Sequence, residues 1–233
     1  MTSGRQRTGA AVLRIQFTAE DLARTRPATR PDPMWEIVFS LHRLQTAQGR
    51  WAFADWLRDA RTALAGTALG IAVRKLLIPV LPRAAYFPDF VTPHEANEGL
   101  DRALAAILDT PPARVRDEIG QLDRRVGAPN WAPRLAERQF REEFVGALRV
   151  HHEALIAPYS DRMQAGFESE RALGTRALPD GGLTGLLSGL APAVRWRPPV
   201  LEVEYAADPE RRLGAPACCG LRLSSTVESV GRP

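Results

Sequence analysis

The stretch WAPRLAERQFREEFVGALRVHHEALIAPYSDRMQAGFESERALGTRA, residues 131–177, decides the fold. Apolar side chains recur along it at near-helical spacing, which predicts an amphipathic helix with one buried stripe. The stripe consists of Phe140, Phe144, Leu148, Leu155, Tyr159, Met163 and Phe167. The opposite face is expected to be polar and to carry Arg141, Glu142, Arg149, Glu153, Arg162 and Glu170.

This stretch is too long to be one straight helix in a compact protein. Unbroken, it would run roughly 70 Å, whereas a compact chain of this length has a radius of gyration of only about 17 Å. Pro158 is the expected break, because proline lacks a backbone N–H and disfavours helix at the preceding Ala157. We therefore predict a mostly α fold, a multi-helix domain around a long kinked helical stretch.

A small β element is predicted from short alternating segments near residues 12–17 and 194–205. Each alternates apolar with charged or polar side chains, and Pro198 and Pro199 split the second into two strands. Pairing the first segment with one of these strands would set Arg14 near Glu202 and Glu204. That pairing would join the two ends of the domain.

Capping residues and apolar periodicity predict further helices along the chain. Thr18 and Asp21 form a capping box, and Asp32 before Pro33 is a typical helix start. Thr92, Pro93 and Glu95 indicate another start. The predicted helices are Ala19–Arg24, Pro33–Gln45, Trp51–Leu64, Thr67–Leu81, residues 93–108, residues 111–126 and Leu183–Leu190.

The domain organisation follows from composition along the chain. Residues 1–10 are small and polar and are expected to be disordered. Residues 11–205 are assigned to one helical domain. Residues 206–233 have no periodic apolar face and are rich in Gly, Ser, Pro and Arg, so a poorly ordered tail is expected.

Charge and cysteine content narrow the class of protein. The formal net charge is +4 and the pI about 9.7, but the arginines are interspersed with acids and form no basic stripe. The two cysteines, Cys218 and Cys219, are adjacent and cannot build a disulfide framework. The run Thr62–Val73 is too short to span a bilayer, and no secretory signal begins the chain. These features favour a cytoplasmic protein without membrane partners.

The first candidate for chemistry is His151–His152–Glu153. A zinc protease motif needs two histidines four residues apart on one helical face with a glutamate between them. Here the histidines are adjacent and point about 100° apart, so the motif fails. We interpret the three residues as polar groups on the helix surface.

Two other patterns also lack the context that their chemistry needs. Cys218 and Cys219 could bind a soft metal as thiolates, but no further ligands lie nearby in the sequence. The glycine-rich segment lacks the preceding strand and the lysine or dinucleotide spacing of a phosphate loop. Its glycines are Gly181, Gly182, Gly185 and Gly189.

An aromatic cluster with one acid offers a pointer to a ligand site. It contains Tyr86, Phe87, Asp89 and Phe90, next to a predicted helix start. Aromatic and polar groups together are typical of the lining of small-molecule pockets. The alternative is that the cluster is a loop pinned into the core. No catalytic residue, cofactor site or metal site is assigned from the sequence.

Several stretches, in order and spacing, resemble a known family of domains. The resemblance covers about residues 12–205 and is to the N-terminal domain, of unknown function, of ArsR-type winged-helix transcriptional regulators from high-GC bacteria. The stretches are VLRIQFTAEDLARTR (12–26), DPMWEIVFSLHRLQ (32–45), YFPDFVTPHEANEGLDRAL (86–104), HHEALIAPYSDRMQAGFESERA (151–172) and DGGLTGLLSGLAPAVRWRPPVLEVEY (180–205).

This resemblance implies a regulatory domain, a sensor or dimer scaffold, rather than an enzyme. In such proteins a C-terminal winged helix binds DNA as a dimer. The printed sequence stops before any winged helix, so this chain alone is expected to bind DNA weakly and without sequence preference. A homodimer and a small-molecule ligand remain open, as do a small metal-dependent enzyme and a stand-alone protein-interaction domain. A truncated or frameshifted gene and a naturally short protein are both compatible with the tail.

Overall fold

A computed structural model of the chain describes residues 10–24, 28–47, 51–84, 86–175 and 194–206. The described part is mostly helical with one small antiparallel sheet, as the sequence predicts. Its helices are α1 Ala19–Arg24, α2 Pro33–Leu44, α3 Ala54–Leu64, α4 Ala68–Ala72, α5 Leu100–Asp109, α6 Pro112–Val126, α7 Arg138–Leu155 and α8 Ser160–Thr175. Its strands are β1 Ala10–Gln16, β2 Val194–Arg197 and β3 Val200–Ala206.

The long stretch that decides the fold is broken where the sequence predicts. α7 ends at Leu155, a short 3-10 turn spans Ala157–Tyr159, and α8 follows. The turn contains Pro158, which cannot donate the backbone hydrogen bond that a continuous helix needs. The expected kink is therefore confirmed.

The chain divides into two compact units, Pro31–Gln164 and the combined segments before residue 31 and after residue 164. In the first unit α7 is central, because α2, α3, α4 and α5 all pack against it. Phe144 and Leu148 of its apolar stripe are fully buried there. Removing such side chains from water contributes roughly 1.5–3 kcal/mol each.

The second unit contains the sheet, with strand order β1-β3-β2 and both pairs antiparallel. Arg14 lies opposite Glu202, and its Nε is 3.0 Å from Glu202 Oε1. The predicted pairing of the two chain segments is thus confirmed. Phe17 extends this arrangement by donating its N–H to the Pro199 carbonyl at 2.8 Å and packing edge-on against Trp196.

Two helix starts follow the predicted capping residues. Thr18 and Asp21 exchange hydrogen bonds at the start of α1: the Thr18 N–H donates to the Asp21 carboxylate at 2.9 Å, and the Asp21 N–H donates to the Thr18 hydroxyl at 3.1 Å. The Asp32 carboxylate accepts the N–H groups of Met34 and Trp35 at 2.9 and 3.2 Å, which starts α2.

Other predicted helix bounds are wrong. The helix predicted from residue 93 begins only at Leu100, because residues 94–98 form a 3-10 turn and Gly99 has a positive φ of 118°. The helix predicted over Thr67–Leu81 is α-helical only in α4, and Val73–Leu77 is a π-helical turn. The helix predicted from Trp51 begins at Ala54.

The predicted polar face of the long stretch contains one error. Arg141 was expected on the surface but is only 2% exposed. It lies three residues before the buried Phe144, so it shares the inward side of α7. The exposed Glu142 and Glu153 fit the prediction.

Several predictions concern parts of the chain outside the described residues. These are the disorder of residues 1–9, the helix Leu183–Leu190, and the tail after residue 206. Ala10 and Ala206, which were assigned to the disordered segments, instead belong to β1 and β3. The four glycines of residues 181–189 and the pair Cys218–Cys219 also lie outside them.

Candidate functional site

A surface groove of about 610 Å³ lies in the first unit, between the 3-10 turns of residues 89–98 and helices α5 and α6. This volume is within the range of small-molecule sites, roughly 300–1,000 Å³. The groove is lined by Asp89, Phe90, Thr92, Pro93, His94, Glu95, Arg102, Ala105, Ala106, Asp109, Thr110, Pro111 and Arg114.

One wall of the groove is built by two successive 3-10 turns, Asp89–Val91 and His94–Glu98. The Thr92 side chain closes the first turn by donating to the Asp89 carbonyl at 3.3 Å. It does not cap the second turn, contrary to the sequence prediction. Gly99 then adopts the positive φ that side-chain-bearing residues avoid, which redirects the chain into α5.

The end of the groove is the tight connection between α5 and α6. The Thr110 hydroxyl donates to the Ala106 carbonyl at 3.0 Å, so this threonine completes the end of α5. Pro111 and Pro112 then begin α6, where a missing N–H has no cost. The two helices are consequently held close enough for residues of both to line the groove.

Glu118 holds the groove wall from inside. This carboxylate is only 7% exposed and accepts the Phe90 backbone N–H at 2.7 Å and the Arg114 Nε–H at 2.6 Å. A buried carboxylate requires such charge-assisted hydrogen bonds to offset its desolvation. Glu118 therefore fixes Phe90 in the groove and also fixes one groove arginine.

Asp89 is the acid of the predicted aromatic cluster, and it opens onto the groove. Partial burial and then the nearby Glu118 carboxylate raise the pKa of Asp89, while Arg114 and Arg125 act in the opposite sense. Within the described residues its carboxylate has no hydrogen bond or ion pair. The side chain is exposed, so the carboxylate is accessible from the groove.

The predicted aromatic cluster divides between the groove and the core. Asp89 and Phe90 line the groove, whereas Tyr86 and Phe87 do not. Phe87 packs edge-on against Trp35, with ring centroids 5.9 Å apart. Both readings of the cluster, a pocket lining and a loop pinned into the core, therefore apply to different members.

Tyr86 lies behind the groove in an acidic environment. Its hydroxyl is buried without a hydrogen-bond partner among the described residues, and the Arg125 guanidinium lies 5.2 Å from its ring centroid. Burial, followed by the charges of Glu118 and Asp89, raises the pKa of Tyr86 to about 12. The hydroxyl consequently stays protonated at neutral pH.

Arg138 and Arg141 support the α5–α6 connection from α7. Arg141 Nη1 donates to the Thr110 carbonyl at 2.5 Å, and Arg138 Nη1 lies 3.5 Å from the Asp109 carboxylate. The Nε of Arg141 is buried without a partner among the described residues. Burial also lowers the pKa of Arg141. These arginines position two lining residues without being part of the lining themselves.

His151 lies in the core, not on the helix surface as predicted. It is 0% exposed, and its Nε2 is 2.7 Å from the Ser40 hydroxyl oxygen. The Ser40 hydroxyl donates its one proton to the Ile37 carbonyl at 2.7 Å, so it must accept a proton from Nε2. This tautomer cannot take a proton from Ser40, which argues against a serine nucleophile here.

The other two members of the predicted histidine motif do not join His151 in a site. His152 is half-buried and Glu153 is exposed. Nowhere in the described ranges do three His, Cys, Asp or Glu side chains group so as to hold a metal ion.

The chain was compared with protein-family models, with curated proteins and with solved structures. None of them matches. Among the described helices, none combines the length and the apolar character needed to cross a bilayer. The groove is therefore characterised by its own residues alone.

Sequence reasoning singled out two of the lining residues, Asp89 and Phe90, and missed the rest. The missed residues come from α5 and the start of α6, where Ala105, Ala106 and Arg114 are ordinary helical residues. The short connection at residues 109–112 was the sequence feature that could have indicated that α5 and α6 lie close together. Nothing in their spacing, however, indicates which faces of the helices meet the 3-10 turns.

Proposed function

We propose that this chain is the regulatory domain of an ArsR-type transcriptional regulator, and that it senses a small molecule in the groove. The observation that carries the proposal is the groove of ligand size, in which apolar and charged lining residues lie together. The sequence resemblance over residues 12–205 supplies the class of protein. The proposal places the chain in the cytoplasm, where such regulators meet DNA.

The mechanism would be a change in the balance between two states of the regulator. A ligand shifts such a balance only by its difference in affinity for the two states. The 3-10 turns of residues 89–98 and the start of α6 both contribute to the groove lining, so a ligand that fills the groove would contact both. DNA would be bound by a winged helix, with a homodimer as the expected assembly.

The test is a thermal-shift screen of a small-molecule library against two variants beside the wild type. Ala105→Trp fills the groove from an exposed position of α5, and Ala154→Trp makes the same change at an exposed position of α7 outside it. We expect hits that raise the Tm of the wild type and of Ala154→Trp but not of Ala105→Trp. A screen in which no hit depends on residue 105 would remove the proposal.

A specific observation also favours a protein-interaction domain as the second candidate. On α2, Phe39 stacks with Trp35 at 5.4 Å between ring centroids and is itself exposed. Arg43 lies over the exposed Phe53 ring at 4.2 Å, and Trp51 nearby in sequence is 88% exposed. Exposed aromatic side chains of this kind are enriched in protein interfaces. A Phe39→Ser variant tests this candidate, because it should weaken any self-association seen by analytical ultracentrifugation.

A metal-dependent enzyme that uses His151, His152 and Glu153 is the alternative with the least support. His151 is enclosed by the core and engaged by Ser40, so a metal ion would have to displace packed side chains to reach it. No observation in the described residues favours this alternative.

A further inference from the structure

Most of the ionisable side chains that line the groove lie within 4 Å of an ionisable side chain of the opposite type. Arg102 is paired with Glu98 at 3.0 Å, and Asp109 with Arg138 at 3.5 Å. Arg114 is paired with Glu118 at 2.6 Å, and the Nδ1 atom of His94 lies 3.3 Å from the Glu95 carboxylate. Among the described residues, Asp89 is the lining charge that has no ion-pair partner.

The surroundings of Asp89 favour a cation over an anion. The groove lining contains three carboxylates and two guanidinium groups, although the whole chain carries a net charge of +4. The Glu118 carboxylate raises the pKa of Asp89, and the Arg114 and Arg125 guanidinium groups oppose this effect. An anionic ligand would meet arginines that already have a carboxylate partner, whereas a cation would meet a carboxylate without one.

The apolar residues of the groove lining determine what a ligand needs besides a charge. Ala105 and Ala106 are accessible and apolar, with Pro93 and Pro111 beside them in the lining, whereas Phe90 is only 1% exposed. An apolar body gains free energy by covering such surface, and a charged group then fixes its orientation. The groove thus offers an apolar surface and one unsatisfied acid.

We propose that the groove binds a small molecule that carries a basic nitrogen beside an apolar body, with the cation placed against the Asp89 carboxylate. The inference rests on the proposed function, because it assumes that the groove is a ligand site. It adds the chemical class of the ligand.

Three probes with the same number of non-hydrogen atoms and nearly the same shape test the proposal. Benzamidine is a cation, benzamide is neutral and benzoate is an anion at neutral pH. Each is titrated into the full-length ¹⁵N-labelled chain up to about 10 mM, a range suited to ligands of this size. Binding is followed at the backbone amides of Phe90, Thr92, Ala105 and Ala106. The variants are Asp89→Asn, which removes the charge at constant shape, and Asp117→Asn, an exposed acid outside the groove lining.

We expect benzamidine to shift the groove amides of the wild type and of Asp117→Asn. Asp89→Asn should weaken this binding by roughly tenfold or more, the factor for a lost charge-assisted hydrogen bond. Benzamide and benzoate should bind the wild type at least as weakly as benzamidine binds Asp89→Asn. Equal binding of the three probes, equal binding by Asp89→Asn, or no benzamidine binding at the groove would each overturn the proposal.

The two proposals fail in distinguishable ways. If library compounds bind the wild type and lose binding in Ala105→Trp while benzamidine shows no preference, the groove is a ligand site but the ligand class is wrong. If no compound depends on residue 105 and benzamidine leaves the groove amides unshifted, both proposals are wrong.

Discussion

The imidazole of His151 donates to the hydroxyl of Ser40 across 2.7 Å, while the other ring nitrogen, Nδ1, is buried without a partner in the described structure. The hydroxyl is also engaged with the Ile37 carbonyl, so the pair joins α7 to α2 through one oxygen atom. Burial and the neighbouring His152 lower the pKa of His151 to about 4. A protonated Nδ1 would be a charged donor with no acceptor, which explains the direction of the shift.

The first prediction is a loss of stability in acid that depends on His151. A histidine in an unfolded chain has a pKa near 6.5. Below that pH the unfolded state therefore binds a proton at residue 151, whereas His151 in the folded state stays neutral. Stability contributed by neutral His151 is therefore present above pH 6.5 and is lost as the pH falls toward 4. Between pH 7 and pH 5 this amounts to about 2 kcal/mol.

Urea unfolding at pH 7 and pH 5 checks this prediction. In His151→Leu, Ser40 keeps its bond to Ile37, and the drop in the free energy of unfolding between the two pH values should be smaller by about 2 kcal/mol. His94→Asn changes an exposed histidine and should leave the drop as in the wild type. An undiminished drop in His151→Leu would contradict the assignment.

The second prediction concerns Gly70, which is required by the approach of α4 to the end of α3. A Cβ atom at this position would lie 1.9 Å from the Leu64 carbonyl oxygen, which is backbone and cannot rotate away. Gly70→Ala should therefore reduce the free energy of unfolding by roughly 2 kcal/mol or more.

Gly146→Ala is the matched control for Gly70→Ala. Gly146 lies within α7 with open space around its missing Cβ, so alanine there should stabilise the chain by about 0.5–1 kcal/mol. Thermal and urea unfolding of the two variants should move in opposite directions. A Gly70→Ala chain as stable as the wild type would show that α3 and α4 are not packed this closely.

Features encoded within a few residues could be predicted from the sequence. The capping box of Thr18 and Asp21 depends on a spacing of three residues, and the break at Pro158 on a missing N–H. The pairing of Arg14 with Glu202 spans most of the chain, yet it follows from period-two alternation and opposite charge in two short strands. In each case the deciding interaction is specified by residue type and spacing.

Features that depend on which surfaces meet could not be predicted in this way. Arg141 and His151 are polar residues on a helix, and only the packing of α2, α5 and the α5–α6 connection around α7 buries them. The groove residues of α5 and α6 could not be predicted for the same reason, because no local sequence pattern marks Ala105 or Arg114 as part of a groove. Arg141 and His151 each lie three positions from a buried residue, Phe144 and Leu148. This helical spacing was the sequence feature that could have indicated their burial.

The third prediction separates the packing of Arg141 from its charge. The side chain loses hydration on burial and has no carboxylate partner among the described residues, so removing its charge offsets the lost bond to Thr110. Arg141→Met keeps the aliphatic stem and should change the free energy of unfolding by less than about 1.5 kcal/mol. Arg141→Ala also leaves a cavity and should cost at least about 2 kcal/mol. A larger loss in Arg141→Met than in Arg141→Ala, measured by urea unfolding, would contradict this account.

The fourth prediction concerns Glu118 and the groove wall that it holds. In Glu118→Ala the buried Phe90 N–H loses its acceptor, which should cost roughly 2–3 kcal/mol of stability, the penalty for a hydrogen bond to a charged group. Amide hydrogen exchange at Phe90 should accelerate beyond the increase explained by lower global stability, because the 3-10 turn is released locally. Glu143→Ala, at an exposed position of α7, should leave both measurements unchanged. Protection of the Phe90 amide in Glu118→Ala equal to that in the wild type would mean that the turn is held by its own residues, and the groove wall would then be independent of α6.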